Sequence, residues 1–164
     1  MITQEELKNE LLYDENTGVF TRNKKTRGKK SGIGNIAGCL DKDGYIRIIV
    51  RGKPYQAHRL AWLYVYGSFP ERCIDHINGQ RSDNRISNLR DVDMTTNLQN
   101  IRKAMSSNKT SGLLGVSRDT NRHLFKAQIQ INGKKITIGY YKTPEEAHQA
   151  YLVKKREAHQ GCTI

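Results

Sequence analysis

Four residues between positions 75 and 97 have side chains suited to the hydrolysis of a phosphodiester bond: Asp75, His76, Asn88 and Asn97. This reaction needs a base that activates water and positive charge on the leaving oxygen. His76 can be the base, because an imidazole is partly uncharged near neutral pH. Asp75 and Asn97 offer the hard oxygen atoms that Mg²⁺ prefers, which predicts a site for one divalent cation, Mg²⁺ or Mn²⁺. Asn88 can form hydrogen bonds with the backbone across the loop and thereby fix the position of the His76 imidazole.

The elements around the pair Asp75-His76 must bring both side chains onto one phosphate, although neighbours on a regular strand point to opposite faces. The turn sequence Asn78-Gly79 allows the strand to end at that point. Residues 89–92 can return as a second strand, and the following helix carries Asn97 and finishes near Met105. The predicted local order is therefore strand, loop, strand and helix.

Each polar residue of this stretch also has a purely structural interpretation. Asn, Asp and Gly are common in loops because they favour turns. Taken one at a time, these residues are therefore typical turn formers. The complete spacing is harder to assign to turns alone.

The order D-H-I-N-G, D-N-R and N-L-R, followed by x-N-x-x-N, resembles the HNH nuclease motif of the ββα-metal type, in the version found in phage and intron-borne homing endonucleases. In that resemblance His76, Asn88 and Asn97 take the three motif positions, and Asp75 takes the metal-ligand position before the His. Many HNH enzymes carry His at the third position. Asn97 is the variant of the homing subgroup, and it implies a single-metal site. The resemblance implies a DNA endonuclease that leaves 5′-phosphate and 3′-hydroxyl ends.

The segment upstream of the motif predicts a β-hairpin and a helix. GYIRIIV and PYQAH flank a short RGK turn, with Ile46, Ile48 and Val50 on one apolar face. HRLAWLYVYG is apolar nearly all round, which predicts a buried helix over about residues 58 to 66. His58 opens this helix and is expected to cap or pack rather than to catalyse. The region is also similar to the one that precedes the motif in the homing enzymes.

The first 40 residues give a weaker signal. Thr3 and Glu6 predict a capping box on a short helix over about residues 4 to 12. The stretch from 22 to 38 is basic and rich in Gly, so it is either a solvated loop or an arm that contacts phosphates. The candidate phosphate contacts in it are Lys24, Lys25 and Arg27.

The C-terminal third predicts a separate unit over residues 113–164, after a linker at 106–112. FKAQIQI alternates between apolar and polar residues, and Asn132-Gly133 is a strong hairpin turn. The returning strand KKITIGYY is expected to place Ile136, Ile138 and Tyr140 inward. A capping box at Thr143 begins a helix, so the unit is three antiparallel strands against one helix.

SGLLGVSR, FKAQIQINGKKITIGYY and TPEEAHQAY resemble the ethylene-response-factor (apetala-two type) DNA-binding domain. In that family the sheet lies in the major groove. The resemblance gives as DNA-binding candidates Arg118, Arg122, Gln128, Gln130, Lys135 and Thr137. The family usually places Arg and Trp at several of these positions, so its base preference does not carry over to this chain. The alternative is an ordinary solvated sheet face.

The charge of the chain agrees with a polyanionic partner. Lys and Arg number 28 against 16 Asp and Glu, which gives a formal net charge of +12 over 164 residues. Nucleic acid is the simplest partner, and a basic surface kept for solubility or an anionic membrane are alternatives. The N-terminus does not resemble a signal peptide, and no apolar run approaches the roughly 18 residues of a membrane helix. The expected protein is a cytoplasmic monomer that binds double-stranded DNA, in a bacterial host if the gene belongs to a phage.

Together these patterns predict an α+β protein with an HNH nuclease unit at 1–105, whose motif core is 70–105, and a DNA-binding unit at 113–164. The expected activity is metal-dependent cleavage of duplex DNA, directed by the C-terminal unit. Nicking and double-strand cutting both fit one chain. The alternatives are a catalytically inactive DNA-binding regulator and an RNA-binding protein, and the second explains the charge but not the motif.

Overall fold

A computed structural model of the chain describes residues 1–25, 32–105 and 107–164. It divides into two units, Met1–Asp93 and Met94–Ile164. Both mix helices with small antiparallel sheets, which confirms the predicted α+β class. The sequence predicts the boundary at a linker over residues 106–112, whereas the division observed here falls after Asp93. Arg27, a predicted phosphate contact, lies outside the described residues.

Besides a short 3₁₀-helix at Ile86–Asn88, the first unit contains two α-helices and seven strands among its described residues. In chain order they are α1 (Gln4–Glu10), β1 (Leu11–Asp14), β2 (Val19–Arg22), β3 (Cys39–Leu40), β4 (Ile46–Val50), β5 (Lys53–Gln56), α2 (Ala57–Tyr66), β6 (Cys73–His76) and β7 (Leu89–Val92). The strands pair as β1-β2, β3-β4-β5 and β6-β7, all antiparallel.

The N-terminal helix α1 has the predicted capping box. Thr3 Oγ1 accepts a hydrogen bond from the Glu6 amide, and Glu6 Oε2 accepts one from the Thr3 amide at 3.0 Å. Leu7 and Leu11 are fully buried, so this end of the chain is part of the core. The helix ends at Glu10, two residues before the predicted end.

The predicted hairpin β4-β5 is confirmed, with Ile48 opposite Tyr55. Its turn has positive φ at both Arg51 (50°) and Gly52 (79°), which suits a two-residue hairpin loop. Ile48 and Val50 are buried, as the alternation predicts.

Helix α2 is confirmed in position and as a largely buried helix. Five of its residues are buried: Ala57, His58, Leu60, Ala61 and Leu63. Tyr66 is exposed at the end of the helix. Trp62 and Tyr64 are partly buried and also pack against the core, so the helix is enclosed on most of its circumference.

The second unit contains α3 (Met94–Gln99), β8 (Val116–Asp119), β9 (Leu124–Ile131), β10 (Lys134–Tyr141) and α4 (Pro144–Ala158). Strand β9 is central, with β8 and β10 as its antiparallel neighbours. Asn132 and Gly133 form the β9-β10 turn with φ of 50° and 78°. Thr143 and Glu146 form the predicted capping box of α4.

A β-bulge in β10 corrects the predicted orientation of Tyr140. The register shifts between Thr137 and Gly139, so one extra residue lies on β10 at this point. Beyond the bulge, Tyr140 lies opposite Lys126 and Tyr141 opposite Phe125. Tyr141 therefore packs against the core of the unit, and Tyr140 lies on the outer face of the sheet.

Helix α3 is shorter than predicted, because it ends at Gln99 rather than near Met105. The segment after it is held by the C-terminal tail instead of by further helical turns. The Gly161 amide donates to Gln99 Oε1 at 2.9 Å, and Thr163 Oγ1 donates to Asn100 Oδ1 at 2.6 Å. These contacts place α3 with the second unit, which explains where the division of the chain falls.

Within the described parts of the chain, none of the helices combines the length and the apolar character needed to cross a membrane.

Candidate active site

The predicted strand end at the Asp-His pair is confirmed. Strand β6 ends at His76, and β7 returns so that Asp75 lies opposite Arg90 and His76 opposite Leu89. The Gly79 amide donates to the His76 carbonyl at 2.8 Å, and Gly79 has a φ of 71°. A tight turn therefore follows His76 directly, and only a residue that tolerates positive φ fits there without strain.

The buried side chain of Asn88 stabilises the loop between β6 and β7 through hydrogen bonds to its backbone. Its Oδ1 accepts from the Asn78 amide at 2.9 Å, and its Nδ2 donates to the Asp83 carbonyl at 2.8 Å. The Asn88 carbonyl also accepts from the Ile77 amide. One buried side chain thus joins both ends of the loop, which agrees with the bonding expected of it from the sequence.

A second network within the loop centres on Asp83. Arg85 donates to both carboxylate oxygens of Asp83, at 2.8 and 2.6 Å, and Asn78 Nδ2 donates at 2.7 Å. The hydrogen bonds from Arg85 lower the pKa of the Asp83 carboxylate to about 2, despite an opposing effect of burial. The loop is therefore held by a charged pair as well as by amide bonds.

His76 is buried, with 4% of its surface exposed. Its Nε2 lies 3.4 Å from Oδ1 of Asn84, which is itself 2% exposed. Burial lowers the pKa of His76 below its ordinary value, although the bond to Asn84 and the charge of Asp75 act in the opposite direction. The imidazole is thereby kept in the uncharged form that a general base requires.

Two aromatic rings pack against the His76 imidazole. The His58 ring meets it edge to face, with centroids 5.1 Å apart and planes at 80°, and the Tyr45 ring lies at 5.9 Å. Burial, followed by the nearness of His76, lowers the pKa of His58 to about 3. His58 is therefore uncharged at neutral pH and packs beside the base as a neutral ring.

Asp75 is 6% exposed and forms an ion pair with Arg90. Arg90 Nε and Nη2 donate to the same oxygen, Oδ2, at 2.9 and 2.7 Å. A carboxylate has two oxygens and about four lone-pair positions, so this pairing is compatible with a cation on the same group. The other predicted ligand, Asn97, is half-buried on α3 and belongs to the second unit.

The described residues contain no group of three or more His, Cys, Asp or Glu side chains that could hold a metal. A cation bound by these residues would therefore take its protein ligands from a smaller set that includes amide oxygen. One buried carboxylate fits Mg²⁺, which keeps several water molecules and is bound by one or two carboxylates plus substrate phosphate. The donor chemistry of Asp75 thus fits the predicted ion.

The outer face of the C-terminal sheet contains four of the predicted DNA contacts. Lys135 lies opposite Gln130 and Thr137 opposite Gln128, so all four share one face. Lys126 lies on this face as well and is absent from the predicted set.

The two arginines of that set are placed differently. Arg118 is exposed but lies opposite Phe125, on the face of the core, and its guanidinium is 5.9 Å from the Phe125 ring centroid. The Arg122 guanidinium lies 4.0 Å from the ring centroid of Tyr140, at the outer face. The geometry therefore favours Arg122 over Arg118 as part of a surface with Gln128. At the N-terminus, Lys24 is paired with Glu10 and Lys25 is exposed.

Sequence reasoning missed the place of three residues around the base: Tyr45, His58 and Asn84. Tyr45 and His58 precede the motif by many positions, so spacing alone gives no signal for them. Asn84 lies in the D-N-R part of the motif. It contacts His76 only because the loop after β6 folds back onto the end of that strand. His58 does pack, as the sequence predicts, but it packs against the candidate base.

Residues 55–99 match the family model described as HNH endonuclease. This range begins in β5, ends with α3 and contains Asp75, His76, Asn88 and Asn97. The prediction of an HNH endonuclease is confirmed for this part of the chain, and nucleases of this type generally use a divalent metal. The family match ends at residue 99, so the resemblance of the C-terminal unit to a plant-type DNA-binding domain stays a prediction.

One solved structure found to be similar is described as DNA binding and cleavage by the HNH homing endonuclease I-HmuI. The two chains are 21% identical, the match covers 93% of this chain and 88% of that chain, and the TM-score is 0.44. No curated protein matches this chain.

Proposed function

We propose that this protein is a metal-dependent endonuclease that hydrolyses phosphodiester bonds in duplex DNA, in the manner of homing HNH enzymes. The observation that supports this most is the enclosed His76 at the end of β6, inside the segment that matches HNH endonucleases. A buried imidazole whose pKa is lowered by burial, next to a buried carboxylate in the chain, is the kind of perturbed titratable group that clusters at functional sites.

In this proposal His76 accepts the proton of the attacking water. Asn88 does not touch the reacting atoms and holds the loop that follows the base, through its bonds to the Asn78 amide and the Asp83 carbonyl. Asp75 is the protein ligand of the cation in the first unit, and Asn97 keeps its predicted role as the second ligand. A cation held by these residues would supply positive charge for the scissile phosphate and the departing 3′-oxygen. The products have 5′-phosphate and 3′-hydroxyl ends.

The C-terminal unit is proposed to direct the enzyme to DNA through the outer face of its sheet. The supporting features are the shared face of Gln128, Gln130, Lys135 and Thr137, the nearby Arg122, and the charge of +12 on the whole chain. Glutamine can pair with adenine and arginine with guanine in the major groove, while lysine contacts phosphate. Lys25 and Arg27 are proposed as additional phosphate contacts. We propose that the protein works as a monomer.

A plasmid assay tests the proposal directly. Supercoiled plasmid and a library of duplex targets are incubated with the wild type and with His76→Ala, in Mg²⁺, in Mn²⁺ and in excess chelator. The expected result is nicked or linear DNA from the wild type with metal, little product with chelator, and a loss of about 10²–10⁴-fold in His76→Ala. Cleavage that survives the substitution would refute the role of His76. Tight binding of duplex DNA without cleavage of any target would favour an inactive regulator instead.

A further inference from the structure

Asn84 lies within hydrogen-bond distance of the candidate base, although it takes none of the predicted motif positions. Its Oδ1 is 3.4 Å from His76 Nε2, at the long end of the usual range. Catalytic hydrogen bonds are often long before substrate is bound and tighten in the complex. With 2% of its surface exposed, Asn84 has little freedom to turn away.

The orientation of the Asn84 amide is fixed by its other end. Nδ2 donates to the Ser82 carbonyl at 3.1 Å. The opposite orientation would bring Asn84 Oδ1 against that carbonyl, and two acceptors cannot bond to each other. The atom that faces His76 is therefore an oxygen, which can only accept a hydrogen bond.

An acceptor at Nε2 determines where the proton of the neutral imidazole resides. His76 must carry its proton on Nε2 in order to donate to Asn84, and the lone pair then belongs to Nδ1. The position of the Asn84 backbone is itself fixed, because Tyr13 Oη donates to the Asn84 carbonyl at 2.7 Å. The edge contact from His58 restricts the same ring from another side.

We infer that Asn84 is a positioning residue of the nuclease centre, which sets the tautomer of His76 so that Nδ1 is the basic atom. The inference rests on the proposed function of His76 as the base. In other hydrolases a carboxylate or carbonyl accepts a hydrogen bond from one nitrogen of a histidine, and this bond decides which nitrogen reacts. We assign that task here to the side chain of Asn84.

The test combines nitrogen NMR with steady-state cleavage. Protein with ¹⁵N-labelled histidine is measured at a pH where His76 is neutral, and its resonances are assigned with His76→Gln. We expect a protonated Nε2 and an unprotonated Nδ1 in the wild type and in Asn84→Asp, which retains an acceptor. Asn84→Leu should show the other tautomer or a mixture. For cleavage we expect kcat to fall about 10–100-fold in Asn84→Leu with little change in KM, and Asn84→Asp to recover part of the loss.

Tyr13→Phe is the matched control, because it removes the bond to the Asn84 backbone and leaves the Asn84 side chain intact. It should lower stability while the tautomer stays unchanged. If the His76 imidazole of the wild type carries its proton on Nδ1, the inference is overturned even if no variant folds. A kcat of Asn84→Leu equal to that of the wild type also overturns it. If the wild type cleaves no DNA but shows the expected tautomer, the proposed function fails and the positional inference about Asn84 stands.

Discussion

Arg90 lies directly opposite Asp75 across the β6-β7 pair and donates twice to Asp75 Oδ2, at 2.9 and 2.7 Å. The Asp75 side chain is 7% exposed and that of Arg90 is 25% exposed, so the pair is largely removed from water. Removing one member of a buried ion pair is costly, because the remaining charge loses its compensation. The pair therefore gives the buried Asp75 carboxylate a hydrogen-bonded guanidinium partner at the candidate cation site.

A double-mutant cycle measures this interaction. Arg90→Met should lower the free energy of unfolding by about 3 kcal/mol, and its coupling to Asp75→Asn should be about 2 kcal/mol. Urea unfolding can be followed by the fluorescence of Trp62, the single tryptophan, which packs against the core of the same unit. A coupling near zero would mean that the pair does not stabilise the carboxylate.

The Asp83-Arg85 pair predicts a dependence of stability on acid. The pKa of Asp83 falls from 3.8 to about 2 on folding, so the folded state favours the ionised form. Its contribution is complete above about pH 4 and is lost as the pH falls through about 2. We expect about 1 kcal/mol, because Arg85 is half exposed and solvent screens the pair.

Asp83→Asn should remove this contribution, so the difference in unfolding free energy from the wild type should shrink between about pH 4 and pH 2. Asn16→Ala, at an exposed position of the β1-β2 turn, changes no titratable group and is the control that should show a constant difference. A pH-independent effect of Asp83→Asn would show that the charge of Asp83 does not hold the loop.

Gly18 supports the active-site loop from the β1-β2 turn. Its φ is 72°, and a Cβ at this position would lie 2.4 Å from the Arg85 nitrogen and 2.6 Å from the Asn84 carbonyl carbon. Gly52 has a similar φ of 79°, but a Cβ added there would meet no atom within 4 Å. Gly18→Ala should therefore cost about 1–3 kcal/mol more than Gly52→Ala, since both share the backbone strain and only one is crowded.

Gly18→Ala should also lower the rate of DNA cleavage more than Gly52→Ala does. The atoms that the added Cβ would crowd belong to Asn84, which contacts His76, and to Arg85. The measurements are the urea midpoint by Trp62 fluorescence and the initial rate of plasmid cleavage. Equal effects of the two substitutions on both measurements would contradict the close packing of this turn on the loop.

Lys126 and Lys135 lie on the outer face of the C-terminal sheet and should contact DNA phosphates. Substituting either by Ala should weaken DNA binding and reduce the slope of log K against log salt by about 1. Lys154→Ala, on the helix that covers the other face of the sheet, is the matched control and should leave the slope unchanged. If all three variants bind with the slope of the wild type, DNA does not contact this face.

The elements that could be predicted from the sequence are those whose causes are local. The capping boxes at Thr3 and Thr143 and the hairpin turn at Asn132-Gly133 depend on residues within a few positions, and all three are present. The spacing of the motif likewise predicts that β6 ends at His76, because the turn at Gly79 is encoded beside it.

The predictions that failed depend on distant contacts. Tyr140 lies on the outer face because a bulge shifts the register, and strict alternation cannot reveal an added residue. Helix α3 ends at Gln99 because the tail around Gly161 and Thr163 holds the next residues. Asn84 could not be found from spacing, because its amide approaches the imidazole only after the loop has closed.

The general base is tested most directly by chemical rescue on a duplex whose cleavage position has been mapped. His76→Gly should lower the single-turnover rate about 10²–10⁴-fold, because general-base catalysis contributes that much. Free imidazole in the buffer should restore part of the rate in His76→Gly and none in Asp75→Ala. A His76→Gly enzyme that cuts at the wild-type rate without imidazole would contradict the account.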